Sequence, residues 1–391
     1  LTIEQLKAAI SKEIDKLSPQ LGVLSQKIHD NPEIAMEEKR AAAWLVEFLK
    51  GKGFSVTKGI AGMPTAFRAN YGKGKPVIAF LAEYDALPKI GHGCGHNLIA
   101  TSAVAAGIAT KLVADEYGGT VSVFGTPAEE VDAGKAIMAE KGVFDKLDAA
   151  LITHPGGGNS VVMNALACQT LYVEFFGKAA HAAADPESGI NALEAMILSY
   201  NAIDALRQHI REKARIHGII TDGGEAPNIV PAHTAATFIV RAEDDEYLDD
   251  LKERVIACFT GAASATGAKL NYRWDAVRYA SLLNNITLAK LFQSNMKSLG
   301  RSIPLGERDK WSGSSDVGNV SQLAPTIQPM VGIAPPGVLI HSTEFAKVAA
   351  SKEALKIMLD AAKAMAMTVA DLLAEPKNLA AARAEFDKNK K

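Results

Sequence analysis

The chain predicts an α/β fold with an open mixed sheet and helices on both faces, into which a smaller ferredoxin-like β-α-β-β-α-β domain is inserted. Three observations lead there. Nearly continuous apolar runs, VIAFLA (77–82), VSVF (121–124) and ALIT (150–153), alternate with helical stretches, as strands buried on both faces do. From about residue 168 the order becomes strand, helix, two strands, helix, strand. After residue 281 the first alternation resumes. Segments 1–167 and 282–391 therefore form one domain, with 168–281 set into it as a second.

Each element follows from local pattern. Residues 2–50 are helical in period, with Ile3, Leu6, Ile10, Ile14 and Leu17 on one stripe, and HDNPE (29–33) breaks the run. KPVIAFLAEYDALP reads as a strand ending in acids, 97–115 as an alanine-rich helix, TVSVFGTPAEE as a strand ending in acids, 132–141 as a helix and AALITHP as a strand ending in a histidine. In the insertion, QTLYVEFFG is a strand, 188–214 one long helix, HGIITDGG and HTAATFIVRA strands, 245–266 a helix and AKLNYRW a strand. Then come a helix near 284–299, a strand PTIQPMVGI and a helix from about 343 to 374. The end, EFDKNKK, reads as a solvated tail.

Composition narrows the class. A hydrophobic content of 48% with 22% charged residues is that of a globular protein, and a net charge of −2 argues against nucleic-acid and membrane partners. No run approaches the ~18–20 apolar residues of a membrane span, and the amphipathic start lacks a signal-peptide core. Cys94, Cys168 and Cys258 are scattered and odd in number, so the expected home is a reducing cytoplasm rather than a disulfide-forming compartment.

The polar residues collect at one predicted rim. Glu83 and Asp85 follow the first strand, Glu129 and Glu130 the second, His154 the third, and the loop GHGCGHN (91–97) can fall at the same edge. The carboxyl ends of strands are where open α/β sheets bind ligands. Cys94, His96, Glu129, Glu130, His154 and His341 together supply thiolate, imidazole and carboxylate, a donor set for Zn2+, or for Mn2+ where oxygen and nitrogen dominate. The set is about large enough for two ions, and one of the paired glutamates could ligate while the other serves as general base. Singly these signals are weak. A Cys-x-His pair is more often structural, PAEE is usually a solvated helix start, and His341 alone says almost nothing; only their shared placement gives them weight. Cys94 as a thiol nucleophile is the competing chemistry, but nothing marks an oxyanion hole or an orienting third residue for it. WSGSSDVG (311–318) reads either as an anion cradle at a helix start or as a plain N-cap turn.

The motifs IHDNPE, AEYDALP, GHGCGHN, GTPAEE, THPGG, GKAAHAAADPESGINALEA, GGEAPNIVPAHTAATFIVR and LIHSTEF span nearly the whole chain. Through them it resembles the co-catalytic metallohydrolases that include aminoacylase, acetylornithine deacetylase, succinyl-diaminopimelate desuccinylase and glutamate carboxypeptidase. Within these it is similar to the amidohydrolase branch of indole-acetyl-amino-acid hydrolases, aminobenzoyl-glutamate hydrolases and β-alanyl-lysine dipeptidase. The resemblance implies two divalent ions, Zn2+ or Mn2+, held by Cys94, His96, Glu130, His154 and His341. It makes Glu129 the general base and gives His181 to the oxyanion, and Asn228 and Arg241 to a substrate carboxylate. The substrate would be a small N-acyl amino acid or dipeptide, and the inserted domain would serve as lid and homodimer contact. Many members carry H-x-D after the early strand; here the segment is Glu83-Tyr84-Asp85, so Cys94 is expected to replace the missing ligand and Asp85 to orient one. His92 receives no role. A deaminase acting at the same site and a binding homologue without turnover are the alternatives; the retained Glu129-Glu130 pair argues against the latter.

Overall fold

The computed structural model describes residues 2–306 and 311–390. The chain divides into two compact units, Leu1–Asn164 with Leu282–Lys391, and Ala165–Ser281.

The first unit begins with α1 (Ile3–His29), opened by a capping box between Thr2 and Gln5, and burying Leu6, Ile10, Ile14, Leu17, Leu21, Leu24 and Ile28. Then come α2 (Lys39–Gly51), β1 (Ser55–Lys58), β2 (Phe67–Lys73), β3 (Val77–Ala82), α3 (His96–Tyr117), β4 (Gly119–Gly125), α4 (Gly134–Glu140), β5 (Ala149–Leu151) and β6 (His154–Gly156). Short β7 (Asn164–Ala165) lies where the chain leaves this unit. After the return come α7 (Ile286–Ser298), β12 (Trp311–Ser312), α8 (Val317–Ser321), β13 (Thr326–Ile327), β14 (Met330–Gly332), α9 (Thr343–Ala349), α10 (Lys352–Ala374) and α11 (Pro376–Asn389).

The sheet runs β1-β2-β4-β3-β5-β13, antiparallel on the β1 side and parallel from β4 through β13. Almost every residue of β3 and β4 is buried, so both faces of these central strands are covered. Helix α3 packs on these strands and against α1 and α10. Its small residues permit this: a Cβ on Gly107 would stand 2.3 Å from Val123 Cγ2. By length and composition α3 could cross a membrane, contrary to the expectation that no such stretch exists. It is a core helix instead, with most of its residues buried in the unit.

The second unit holds β8 (Ala167–Phe176), α5 (Ala192–Arg207), β9 (Arg215–Asp222), β10 (His233–Ala242), α6 (Asp245–Thr266) and β11 (Lys269–Tyr279). Its antiparallel sheet runs β11-β8-β10-β9, the order of a ferredoxin-like unit. Burial alternates strictly along β10, which puts Ala236, Phe238 and Val240 beneath α5 and α6 and leaves the opposite face open.

Several expected elements are redrawn. The helix expected over 188–214 is only Ala192–Arg207, capped by Asn191, whose Oδ1 accepts the N–H groups of Leu193 and Glu194. The helix expected from 343 to 374 breaks at Ser351, which caps α10 through Ala354 N–H. AALITHP and PTIQPMVGI each make two short strands in different sheets, because both segments leave the main sheet and pair again as β6 with β14. The expected tail is helix α11, with Ala382 and Phe386 buried. Glu385 accepts the N–H groups of Ile286 (2.6 Å) and Thr287 (2.9 Å), so it caps α7 from the end of the chain.

Candidate metal centre

The glycine loop sits between β3 and α3. Gly91 and Gly95 have φ of 76° and 77°, and a Cβ on Gly95 would come within 2.6 Å of Pro155 Cγ. The turn at Gly95 brings Cys94 beside His154, with Sγ 3.4 Å from Nε2. His154 Nδ1 lies 2.7 Å from the Pro155 carbonyl; the carbonyl only accepts, so Nδ1 holds the proton and Nε2 presents its lone pair to Cys94. His96 begins α3, and its Nδ1 is 2.9 Å from Asp85 Oδ1. The other Asp85 oxygen accepts the Glu130 N–H at 3.0 Å, so one carboxylate orients both the imidazole and the glutamate segment. His341, at φ 64°, donates its backbone N–H to Gly93 at 2.8 Å and sets its Nε2 3.3 Å from Glu130 Oε1.

Among the described residues three donor sets result, each with ligand atoms within 4.8 Å of one another: Cys94, His96 and His154; Cys94, Glu130 and His341; His96, Glu129 and Glu130. Cys94 belongs to two of them. Oε2 of Glu83 and Nε2 of His96, both buried, have no hydrogen-bond partner in the structure. Orphaned donor atoms of this kind, facing one another, fit a bound cation.

The metal-free electrostatics point the same way. Burial above all pushes the Cys94 thiol far up, against the pull of His96, and this weighs against a free thiolate nucleophile. Burial disfavours charge on His96, but Asp85 and Cys94 outweigh it and raise that imidazole well above its usual range. Burial lowers His154. Burial, then Glu83 and Asp316, raise the Glu129 carboxyl well above the usual range. Burial works against ionised Glu130, but His341 and His96 hold it below the ordinary value.

The remaining expected residues fall elsewhere. His181, Asn228 and Arg241 belong to the second unit. There the segments of His181 and Asn228 run side by side, with Ala182 N–H donating to the Asn228 carbonyl at 3.0 Å. His181 Nδ1 accepts the N–H groups of Ala183 (3.3 Å) and Ala184 (3.1 Å), which leaves Nε2 to carry the ring proton as a donor. Arg241 lies on β10, its Nε 3.4 Å from His217 Nε2. His92 is buried without a hydrogen-bond partner for either ring nitrogen, and burial lowers it to about 3.

In WSGSSDVG the side chains of Trp311 and Ser312 lie outside the described residues. Asp316 from this segment accepts Lys135, through the backbone N–H at 2.8 Å and through Nζ at 2.7 Å. The segment thus holds a cation, not the anion the cradle reading expects. Lys135 and Asp316 escaped the sequence reading; their only signal was a lysine in an otherwise small and apolar helix start.

Residues 169–266 match the peptidase dimerisation domain of the M20 peptidases. The mouse Xaa-Arg dipeptidase is 36% identical, over 98% of this chain and 93% of its own length. One of the subunits of the Escherichia coli p-aminobenzoyl-glutamate hydrolase is 34% identical, over 89% of this chain and 88% of its own. Among solved structures, an aminobenzoyl-glutamate utilization protein from Klebsiella pneumoniae superposes with a TM-score of 0.71 at 18% identity, covering 93% of this chain and 98% of that one. A dinuclear metal-binding M20 peptidase from Bacillus subtilis does so with a TM-score of 0.69 at 19% identity, covering 91% and 99%. With a site of clustered metal donors and relatives matched along almost the whole sequence, this chain belongs to the M20 family of metal-dependent amide hydrolases.

Proposed function

We propose that the protein cleaves the amide bond of small dipeptides or N-acyl amino acids bearing a free carboxylate, using two divalent ions, Zn2+ or Mn2+. The observation that carries this reading is the sharing of Cys94 between two donor sets, with Glu129 and Glu130 in a third. Cys94, His96 and His154 would hold one ion, and Cys94, Glu130 and His341 the other. When bound, the ions supply Lewis acidity that polarises the amide carbonyl and acidifies water. Glu129 takes the proton of the attacking water and delivers it to the leaving amine. His181 donates Nε2–H to the developing oxyanion, and Asn228 with Arg241 holds the carboxylate, for which a guanidinium fork is suited. The names of the relatives support dipeptides and aminobenzoyl-glutamate as the first substrates to try. We further assign a homodimer through the inserted domain, supported by the matched dimerisation domain, and a reducing cytoplasmic setting, for which the support is the odd number and wide scatter of Cys94, Cys168 and Cys258 in the sequence.

The test is hydrolysis of a panel of Xaa-Arg and β-alanyl dipeptides, aminobenzoyl-glutamate and N-acetyl amino acids, before and after chelation. The expected outcome is turnover that chelator abolishes and Zn2+ or Mn2+ restores. Turnover that survives chelation but is lost to a thiol alkylator would overturn the reading. Ammonia release from aromatic amines, without amide cleavage, would replace it with deamination.

A further inference from the structure

We propose that Glu83 is a further metal-facing carboxylate of the centre, presented to the same ion as His96 and held there by Lys135 and Asp316. The inference rests on the two-ion reading above and extends it. Glu83 directly follows β3 and is fully buried. Its Oε2 lies 3.5 Å from His96 Nε2, and neither atom has a hydrogen-bond partner. This is too long for an ordinary N–H···O bond. It suits two ligands of one ion, since bonds of about 2.1 Å at tetrahedral angles put donor atoms about 3.4 Å apart. Asp85 occupies Nδ1 of His96, so Nε2 is the ring atom left for an ion, and Glu83 stands on that side. Cys94, His96 and His154 supply three donors, and a fourth completes the usual tetrahedral number. Among charged neighbours, Glu83 also weighs most on both Glu129 and His154.

Lys135 explains how the carboxylate is held. Its Nζ lies 2.6 Å from Glu83 Oε1 and 2.7 Å from Asp316 Oδ1, and all three side chains are fully shielded from solvent. A buried ammonium is costly unless it is paired, and no step of the hydrolytic reading uses this one. By occupying Oε1 it leaves Oε2 facing His96. Asp316 grips both the backbone and the side chain of Lys135, so the ammonium has one place to be. Lys135 is a positioning residue, acting through Glu83.

Glu83→Gln keeps the volume and removes the charge. Its metal content under buffered free Zn2+ and its dissociation constants from chelator competition are compared with wild type, with circular dichroism of the metal-free forms reporting the fold. One ion should stay at wild-type affinity while the other weakens by at least about tenfold. Glu83→Asp keeps the charge but withdraws the carboxylate by a methylene, and should weaken the same ion even where the glutamine variant does not fold. Lys135→Met should do likewise; a lower melting temperature with both affinities unchanged would make Lys135 merely structural. Both ions at wild-type affinity in a folded Glu83 variant would overturn the assignment of Glu83. Wild-type protein that takes up no divalent ion would instead overturn the two-ion reading beneath it.

Discussion

His154 shows how one hydrogen bond chooses a ligand atom: the Pro155 carbonyl takes Nδ1, and Nε2 is left toward Cys94. Glu129 is the residue on which turnover should depend most. Glu129→Gln should lower kcat by about 10²- to 10⁴-fold while metal content by elemental analysis stays at the wild-type level. Glu38 gives a separable pH effect. It is buried, accepts the Ala128 N–H at 2.9 Å and the Thr65 hydroxyl at 3.1 Å, and desolvation raises it from 4.5 to about 7. The folded state therefore binds this proton more tightly than the unfolded chain. The neutral acid's contribution is whole below pH 4.5 and is lost as pH rises through 7, by at most about 3 kcal/mol. Glu38→Gln should gain stability relative to wild type across that window in denaturant titrations at successive pH values. Cys94, Glu129, Glu130 and His154 could be read from the sequence because strand ends and a glycine loop collect at one edge. Lys135 could not: its partners lie 52 and 181 residues away, and no local period announces an ion pair formed by tertiary packing.

At the scale of elements, the loop and the two chain ends decide most. Gly95→Ala would place a Cβ against Pro155 at positive φ, and should cost about 1–3 kcal/mol in chemical denaturation while loosening metal binding. Glu385→Ala removes the cap that α11 lends to α7 and should cost about 1 kcal/mol, seen as a lower melting temperature. The strands and the helices of the inserted unit follow from apolar period, which is local and therefore legible. The final helix was not, because EFDKNKK is polar and its two buried residues, Ala382 and Phe386, meet a surface that only the fold creates. The overlong 188–214 helix errs for a related reason: no proline or glycine interrupts the pattern between 190 and 214, while Ile210 and Ala214, beyond the helix end, pack with the core of the inserted unit.

For the whole molecule, the two hydrophobic cores are built from separate residue sets, and every proposed metal ligand belongs to the first unit. Ligand linkage then acts on one unit alone. At an ion concentration near 100 times the dissociation constant, metal should add about 2.7 kcal/mol to the first unit, so chelator should lower one calorimetric transition and leave a second in place. The double membership of Cys94 reaches further. Burial favours its protonated thiol, yet the sulfur belongs to two donor sets. A first ion bound there would displace that proton, and a second would find a thiolate already formed. Zinc titration in weak buffer should therefore release the thiol proton with the first equivalent and not with the second.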